Sequence, residues 1–449
     1  MVKNRAPVAV GMIARNAEKT LGRCLDSIRP YVTQIVVGVD ETTTDKTAKV
    51  AKKHGATVVP VKVSDYHECP HHGRVLAQHF ADARNQVFSH LDKSLPFLLW
   101  IDADDVLEGG ERLAELCAAV PGDAAGVWFP YVYAHHTASD GTRVPNTVFH
   151  RERLLKTSID GQPVKWTWKH RVHEVVTPEL VGTPKWIFNH DIKVVHQDGG
   201  HKTEASAPRN LLLLEIDHES DPDDPRTVFY LGNTYFALGR WDAAAGFYER
   251  RVAMEDPAKA NPYEVWQSAL YACKAYQRLG SHEDALRMAF AALDAAPQHR
   301  EPYFALAECY AMTGSDGKVE FWTKQGRSQG LQNLPPFVFS NPMDTSYNHH
   351  LPIADAHLRQ GRITAAVAEL EAAHQAFPDK RVGDAIAEHK RTLADMEAAN
   401  AFVTTARNLD PDSVLGLYEH LPADVRRFGR TRDVVIPLLL KKRDADYAA

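Results

Sequence analysis

The chain has 449 residues, of which 44% are hydrophobic and 24% charged, and its formal net charge is −6. That length exceeds what one hydrophobic core normally serves, so two or three domains are expected. The acidic balance gives no footprint for nucleic acid, and no apolar run reaches the roughly 20 residues of a membrane span. The opening Met1-Val2-Lys3-Asn4-Arg5-Ala6-Pro7 lacks the order of charge, apolar core and small residues of a secretory signal. Five scattered cysteines (Cys24, Cys69, Cys117, Cys273 and Cys309) suit reduced thiols better than a disulfide framework, so a cytoplasmic location is expected.

In chain order, residues 8–13 read as a buried strand and 17–28 as a helix. Residues 34–40 form a second strand ending in Asp40. Residues 44–54 form a helix with Thr44 or Asp45 as its cap and Gly55 as its stop. A third strand covers 57–61, a helix 80–91, and a fourth strand 96–101 runs into Asp102-Ala103-Asp104-Asp105. Strands alternating with helices predict a mostly parallel, Rossmann-like sheet covered on both faces. Ligands of such sheets lie beyond the carboxyl ends of the strands, where Asp40 and Asp102 stand.

Near residue 204 the composition turns to Ala, Leu, Tyr and Glu at helical spacing. Gly239, Gly280, Gly314 and Gly361 each separate two helix-like stretches. An alanine follows three of them five residues on (Ala244, Ala285, Ala366), with Val319 in the remaining unit. A tyrosine precedes three of them by four (Tyr235, Tyr276, Tyr310), and Pro257, Pro297 and Pro378 close units. Glycine permits the tight turn, and alanine permits close approach of the helices. The pattern resembles the tetratricopeptide repeat. Residues 332–348, with Pro335-Pro336, read as an inserted loop. The expected domains are 1–203, 204–394 and a helical cap at 395–449, within which 433–436 is alternatively a short strand.

The strongest chemical signal is Leu98-Leu99-Trp100-Ile101-Asp102-Ala103-Asp104-Asp105. A buried strand ending in paired carboxylates puts acids at the rim of a cleft. A hard divalent cation is the simplest bridge from such acids to phosphates, and oxygen ligands favour Mg2+ or Mn2+. The plainer reading is a solvated acidic loop. Val36 to Thr47 (V-V-G-V-D-E-T-T-T-D-K-T) resembles the second-strand motif V-V-D-x-G-S-T-D-x-T of family 2 glycosyltransferases, with Thr42 and Thr43 in place of glycine and serine. Val10 to Leu25, which contains Arg15, resembles the first-strand motif of that family, and Ala83-Arg84-Asn85 its A-R-N element. Residues 7 to about 200 thus resemble a family 2, inverting glycosyltransferase of the GT-A fold.

The resemblance implies roles. Asp40 would accept a hydrogen bond from the nucleotide base, with Arg15, Arg84 and Asp102 completing the donor site. Asp102 and Asp104 would hold the metal. Trp166 to Val175 resembles the family's V-H-E element, which makes Glu174 the first choice for the base and His173 the second. In an extended segment both side chains cannot face one cleft. His196, at the end of a strand covering 192–196, would add a metal ligand, with His201 as the alternate. The cluster His67-Glu68-Cys69-Pro70-His71-His72 has zinc-like composition but no second ligand pair, so a loop beside the donor or acceptor is preferred. Trp128, Trp166 and Trp168 read as core before they read as sugar platforms.

The implied reaction is transfer of a hexosyl or N-acetylhexosaminyl group, with inversion, from a nucleotide-sugar, a UDP-sugar first. The acceptor expected from the repeats is a protein or peptide. Alternatives are a cell-envelope glycan or lipid-linked precursor as acceptor, or a protein-binding scaffold with a silent transferase domain. A homo-oligomer is left open.

Overall fold

The structure is a computed structural model describing residues 5–69, 73–180, 182–197, 206–254, 262–329 and 343–448. The chain begins with β1 (Ala6–Ala14), α1 (Leu21–Ile28), β2 (Val32–Asp40), α2 (Thr47–Lys53) and β3 (Thr57–Val61). The hairpin β4 (Ser64–Cys69) and β5 (Gly73–Gln78) precedes α3 (Phe80–Ser89), β6 (Phe97–Trp100), β7 (Asp105–Glu108) and α4 (Leu113–Ala119). Two long strands, β8 (Ala124–Thr137) and β9 (Arg143–Lys156), lead to the short strands β10 (Ser158–Ile159), β11 (Gln162–Pro163), β12 (Trp166–Lys169), β13 (Val175–Pro178), β14 (Lys185–Phe188) and β15 (Lys193–His196).

The main sheet runs β3-β2-β1-β6-β9-β8-β15-β7, with β14 beside β8. It is parallel from β3 to β6, as expected, and mixed beyond: β9 is antiparallel to β6, and β15 is parallel to β8 but antiparallel to β7. Strand β1 shows why helices cover both faces. Val8, Val10 and Met12 pack with α1, α2 and α4, while the intervening Ala9 joins the core under α3. Gly38 in β2 is required by that second face, since a Cβ there would sit 2.3 Å from Val87 of α3. The first two helices are shorter than the sequence suggested. Residues 17–20 form a turn before α1, and α2 starts at Thr47, whose amide is met by Asp45.

The helices that follow are α5 (Ser206–Ser220), α6 (Pro225–Ala237), α7 (Trp241–Ala253), α8 (Pro262–Leu279), α9 (His282–Ala295), α10 (Glu301–Met312) and α11 (Asp316–Ser328). Beyond them come α12 (His350–Arg359), α13 (Ile363–Ala376), α14 (Lys380–Ala406), α15 (Pro411–Glu419), α16 (Ala423–Arg427) and α17 (Gly429–Ala448). The pairs α6–α7, α8–α9, α10–α11 and α12–α13 are tetratricopeptide-like helical hairpins. Gly239, Gly280, Gly314 and Gly361 turn them with φ of 71, 73, 67 and 72°. Ala244, Ala285, Val319 and Ala366 are fully buried. Residues 433–436 lie in α17 and not in a strand, because Val435 and Val414 close a helical core there. Much of the 332–348 insertion, and Pro257, lie outside the described residues.

The chain divides into two compact units. The first comprises residues 1–136, 143–313 and 321–342; the second comprises 137–142, 314–320 and 343–449. Within the first, Ala77 and Val172 share one core with Leu213, Phe229, Leu231 and Trp266, so the β4–β5 hairpin and the segment between β12 and β13 pack against the first repeat helices. Within the second, Tyr347, Leu370 and Val382 form one core, and Phe402, Val414 and Val435 another. Cys24, Cys117, Cys273 and Cys309 are free and buried. Among the described residues no helix is long and apolar enough to cross a membrane.

Candidate active site

The parallel strands bring their carboxyl ends to one sheet edge. Ala14 pairs with Val39, so the next residues, Arg15 and Asp40, stand side by side, 3.9 Å apart between Nη1 and Oδ2. Asp40 is 2% exposed and accepts a hydrogen bond from Thr42 Oγ1 at 2.9 Å. On the other side of β1, β6 delivers Trp100 opposite Gly11, and the acidic run follows. Asp40 and Asp102 therefore flank β1, about two strand spacings or 10 Å apart.

The acids of the run have different surroundings. Asp102 receives Arg84 Nη2 at 2.7 Å and has Arg153 Nη1 at 3.9 Å. Burial would raise its carboxyl, but Arg84 and Arg153 outweigh burial and bring it down to about 2. Asp104 has the reverse balance: burial first, then the charges of Asp102 and Asp105, push it up to about 6, against the pull of His196. Asp105 is fully buried and accepts from Tyr131 Oη at 3.1 Å and Arg153 Nη2 at 3.4 Å. The antiparallel register of β15 and β7 sets His196 directly opposite Asp105, and His196 Nδ1 lies 3.1 Å from Asp105 Oδ1. A proton on Nδ1 leaves the Nε2 lone pair outward. Ligand atoms of Asp104, Asp105 and His196 fall within 4.8 Å of one another, a donor set suited to a hard divalent cation. Asp104 has only the His196 imidazole, at 3.9 Å, against the charges of Asp102 and Asp105, an excess of negative charge that such a cation would relieve.

Arg84, on α3, is the hinge of the site. It is 8% exposed, gives Nη2 to Asp102 and Nε to Glu174 Oε1 at 3.1 Å, and is held firmly protonated by those two acids despite its burial. Its neighbour Asn85 pairs with the backbone of Trp168 in both directions, at 3.1 and 2.9 Å, as a strand would. Glu174 Oε2 carries no hydrogen bond among the described residues. His173 points elsewhere, stacking on Tyr230 of α6. Burial first, then Arg226, Arg151 and Arg209, hold its imidazole down at about 3.

The segment between β12 and β13 has two non-glycine residues in the left-handed region, His170 at φ 70° and His173 at φ 54°. Such residues cost about 1–3 kcal/mol each and persist only when their surroundings enforce them. Here the first repeat helices do so. The Arg171 amide donates to Asp217 Oδ2 at 2.9 Å, and Arg226 donates Nε and Nη2 to the His173 carbonyl at 3.2 and 3.0 Å. Arg151 Nη2 donates to the Glu174 carbonyl at 3.0 Å.

Of the sequence-derived candidates, Arg84, Asp102 and Glu174 meet in one ion-pair network. Asp104 and His196 meet beside it, Arg15 and Asp40 pair at the same sheet edge, and His173 turns away. His201, His71 and His72 lie outside the described residues. Trp166 and Trp168 are core residues, the latter edge-on to Trp100 at 4.9 Å. Sequence reasoning missed Asp105 and Arg153. The available signal was Arg151-Glu152-Arg153, a charged triplet inside an otherwise strand-like stretch.

Comparison with known proteins gives one family match: the sequence pattern of Glycosyl transferase family 2 fits residues 9–170. No curated protein matches the chain. Solved structures similar to it include TTC0263, a thermophilic TPR protein of Thermus thermophilus, at 20% identity and TM-score 0.32, covering 41% of this chain and 91% of that one. MamA residues 41 to the end from Desulfovibrio magneticus RS-1 match at 13% identity and TM-score 0.31, over 38% of this chain and 86% of that one. YrrB, described as a TPR protein with an unusual peptide-binding site, matches at 14% identity and TM-score 0.30, over 40% of this chain and 82% of that one.

Proposed function

We propose that this chain, in which residues 9–170 form a family 2 glycosyltransferase domain followed by tetratricopeptide-like repeats, is a metal-dependent inverting glycosyltransferase that takes a UDP-sugar as donor and a protein or peptide as acceptor. The single observation that carries this reading is the Arg84 guanidinium, which holds Asp102 and Glu174 on adjacent nitrogens and so brings the D-x-D acids and the base candidate to one place. In the same proposal the working segments are 1–203 for donor chemistry, 204–394 for the acceptor and 395–449 as a cap.

Asp40 accepts the imide N–H of the base, and Arg15 beside it faces the first phosphate. Asp104 and His196 Nε2 would hold Mn2+ or Mg2+, which when bound supplies positive charge against the departing diphosphate. Asp102, committed to Arg84 and Arg153, lines that pocket more than it ligates. Asp105 fixes the His196 ring and tautomer. Glu174 takes the acceptor proton through Oε2 as the acceptor oxygen attacks the anomeric carbon opposite the leaving group. His173 serves the backbone turn that aims Glu174. The repeats present the acceptor, since arrays of this kind generally bind extended polypeptides.

The test is release of nucleoside diphosphate from UDP-, GDP- and dTDP-sugars with Mn2+, followed by intact mass of candidate acceptor proteins. Turnover abolished in Asp104→Ala, together with an added hexose or N-acetylhexosamine mass, supports the reading. Absence of both turnover and nucleotide binding points to a scaffold, and turnover only with a glycan or lipid-linked acceptor overturns the protein-acceptor part.

A further inference from the structure

The arginines around the site are nearly all matched with acids. Arg84 has Asp102 and Glu174, Arg151 has Glu152, Arg153 has Asp105, Arg226 has Glu264, and Arg15 has Asp40. Arg209 is the exception. It stands near the start of α5, outside the stretch that matches the transferase family, and its hydrogen bonds run to the amide oxygen of adjacent Asn210 at 3.1 and 2.8 Å. No carboxylate lies within ion-pair distance of it among the described residues.

The position of Arg209 follows from four elements. Its guanidinium lies over the Phe80 ring, 5.3 Å from the centroid. Phe80 is one helical turn before Arg84 on α3, so both side chains share a face. Arg209 also feels the charges of Glu174 and Arg15 and the phenol of Tyr133, which itself stacks on His196 at 5.6 Å. With no acid within ion-pair distance among the described residues, and under the charge of Arg15, a half-buried arginine is costly. Burial and then Arg15 push its charged form down. An anion between the two guanidiniums removes that cost.

We propose that Arg209, from the first helix of the repeat region, completes the donor pocket by binding the diphosphate of the nucleotide, opposite Arg15. This inference rests on the donor reading above. The repeat region then contributes to the chemistry of the donor, and the transferase fold is an incomplete pocket without α5. A planar guanidinium suits two phosphate oxygens at once, and it stays in place while negative charge builds on the departing group.

The experiment is calorimetric titration of the full chain with UDP, UMP and uridine in the presence of Mn2+, comparing wild type with Arg209→Gln and Arg209→Lys. The expected result is a Kd for UDP raised at least about tenfold in Arg209→Gln. Uridine binding is unchanged, and Arg209→Lys lies between. Arg209→Met, which keeps the apolar contact with Phe80, serves if Arg209→Gln does not fold. UDP affinity within about twofold of wild type in a folded variant overturns the inference, as does an equal loss for uridine. If wild type prefers GDP or dTDP, the same comparison is made with that nucleotide and its nucleoside. Should wild type bind none of the three diphosphates, the donor reading itself falls and the inference with it.

Discussion

The imidazole of His173 lies flat on the phenol ring of Tyr230, with centroids 4.0 Å apart and planes 9° apart. One ring comes from the V-H-E segment and the other from α6, and Arg226 on the same helix grips the His173 carbonyl. The repeat therefore holds the residue before Glu174 in its left-handed conformation. Arg226→Met should lower kcat about 10²-fold while leaving Kd for nucleoside diphosphate unchanged, because a base misplaced by about 1 Å loses alignment and not donor contacts. Arg226→Lys should recover part of the rate. A variant with wild-type kcat, or one whose only change is donor affinity, would show that Arg226 does not position Glu174.

The same stack has a pH signature. The His173 imidazole is held at about 3, below the ordinary 6.5 of an unfolded chain. Between those values the unfolded chain binds a proton that the folded one refuses. The stability contribution is therefore fully present above pH 6.5 and is lost as pH falls toward 3. The slope from one such group is at most about 1.4 kcal/mol per pH unit. In His173→Phe, which keeps the ring stack, stability should fall less steeply between pH 6.5 and 5 than in wild type, by chemical denaturation at each pH. Parallel slopes would mean that His173 titrates freely.

Replacement of Glu174 by glutamine keeps an oxygen for Arg84 but removes the carboxylate proposed as the proton acceptor. The expectation is a kcat lower by about 10²- to 10⁴-fold, with nucleotide affinity and melting temperature near wild type. Single-turnover rates with a working acceptor decide it, and a near-normal rate would transfer the role to another group.

The adjacent acids Asp104 and Asp105 should respond oppositely. Asp105 is fully buried against Arg153, which is buried too and has only Asp102, at 3.9 Å, as a second acid, so Asp105→Asn removes the nearer counter-charge of a buried cation and should cost about 3 kcal/mol of stability. Asp104 stands among like charges, and Asp104→Asn should change stability by no more than about 0.5 kcal/mol, or raise it slightly. Mn2+ binding should nonetheless be lost in Asp104→Asn. Thermal melts with and without Mn2+ separate the two, and equal destabilisation by both variants would contradict the burial difference.

Much of the architecture was readable in advance. The strand ending in Asp40, the strand running toward Asp102, the covering helices and the four glycine turns were all visible, since each is written within a window of a few residues. The D-x-D acids stood out by the same local patterning, whereas Glu174 was reached only through the resemblance of its segment to the V-H-E element. The helix 17–28 was read too long because apolar spacing continues through a turn that only backbone bonding reveals.

Local order therefore determined which residues sit at strand ends and where the helical hairpins turn, because periodicity and turn chemistry act between near neighbours. Tertiary structure alone decided the pairings across long separations: Arg84 with Glu174, Asp105 with His196, and the repeat helices against the V-H-E segment. Those depend on strand order and register, and on the core that the β4–β5 hairpin and the V-H-E segment share with the first repeats. The same closure split three neighbouring aspartates into a paired acid, an orienting acid and one left poor in positive charge.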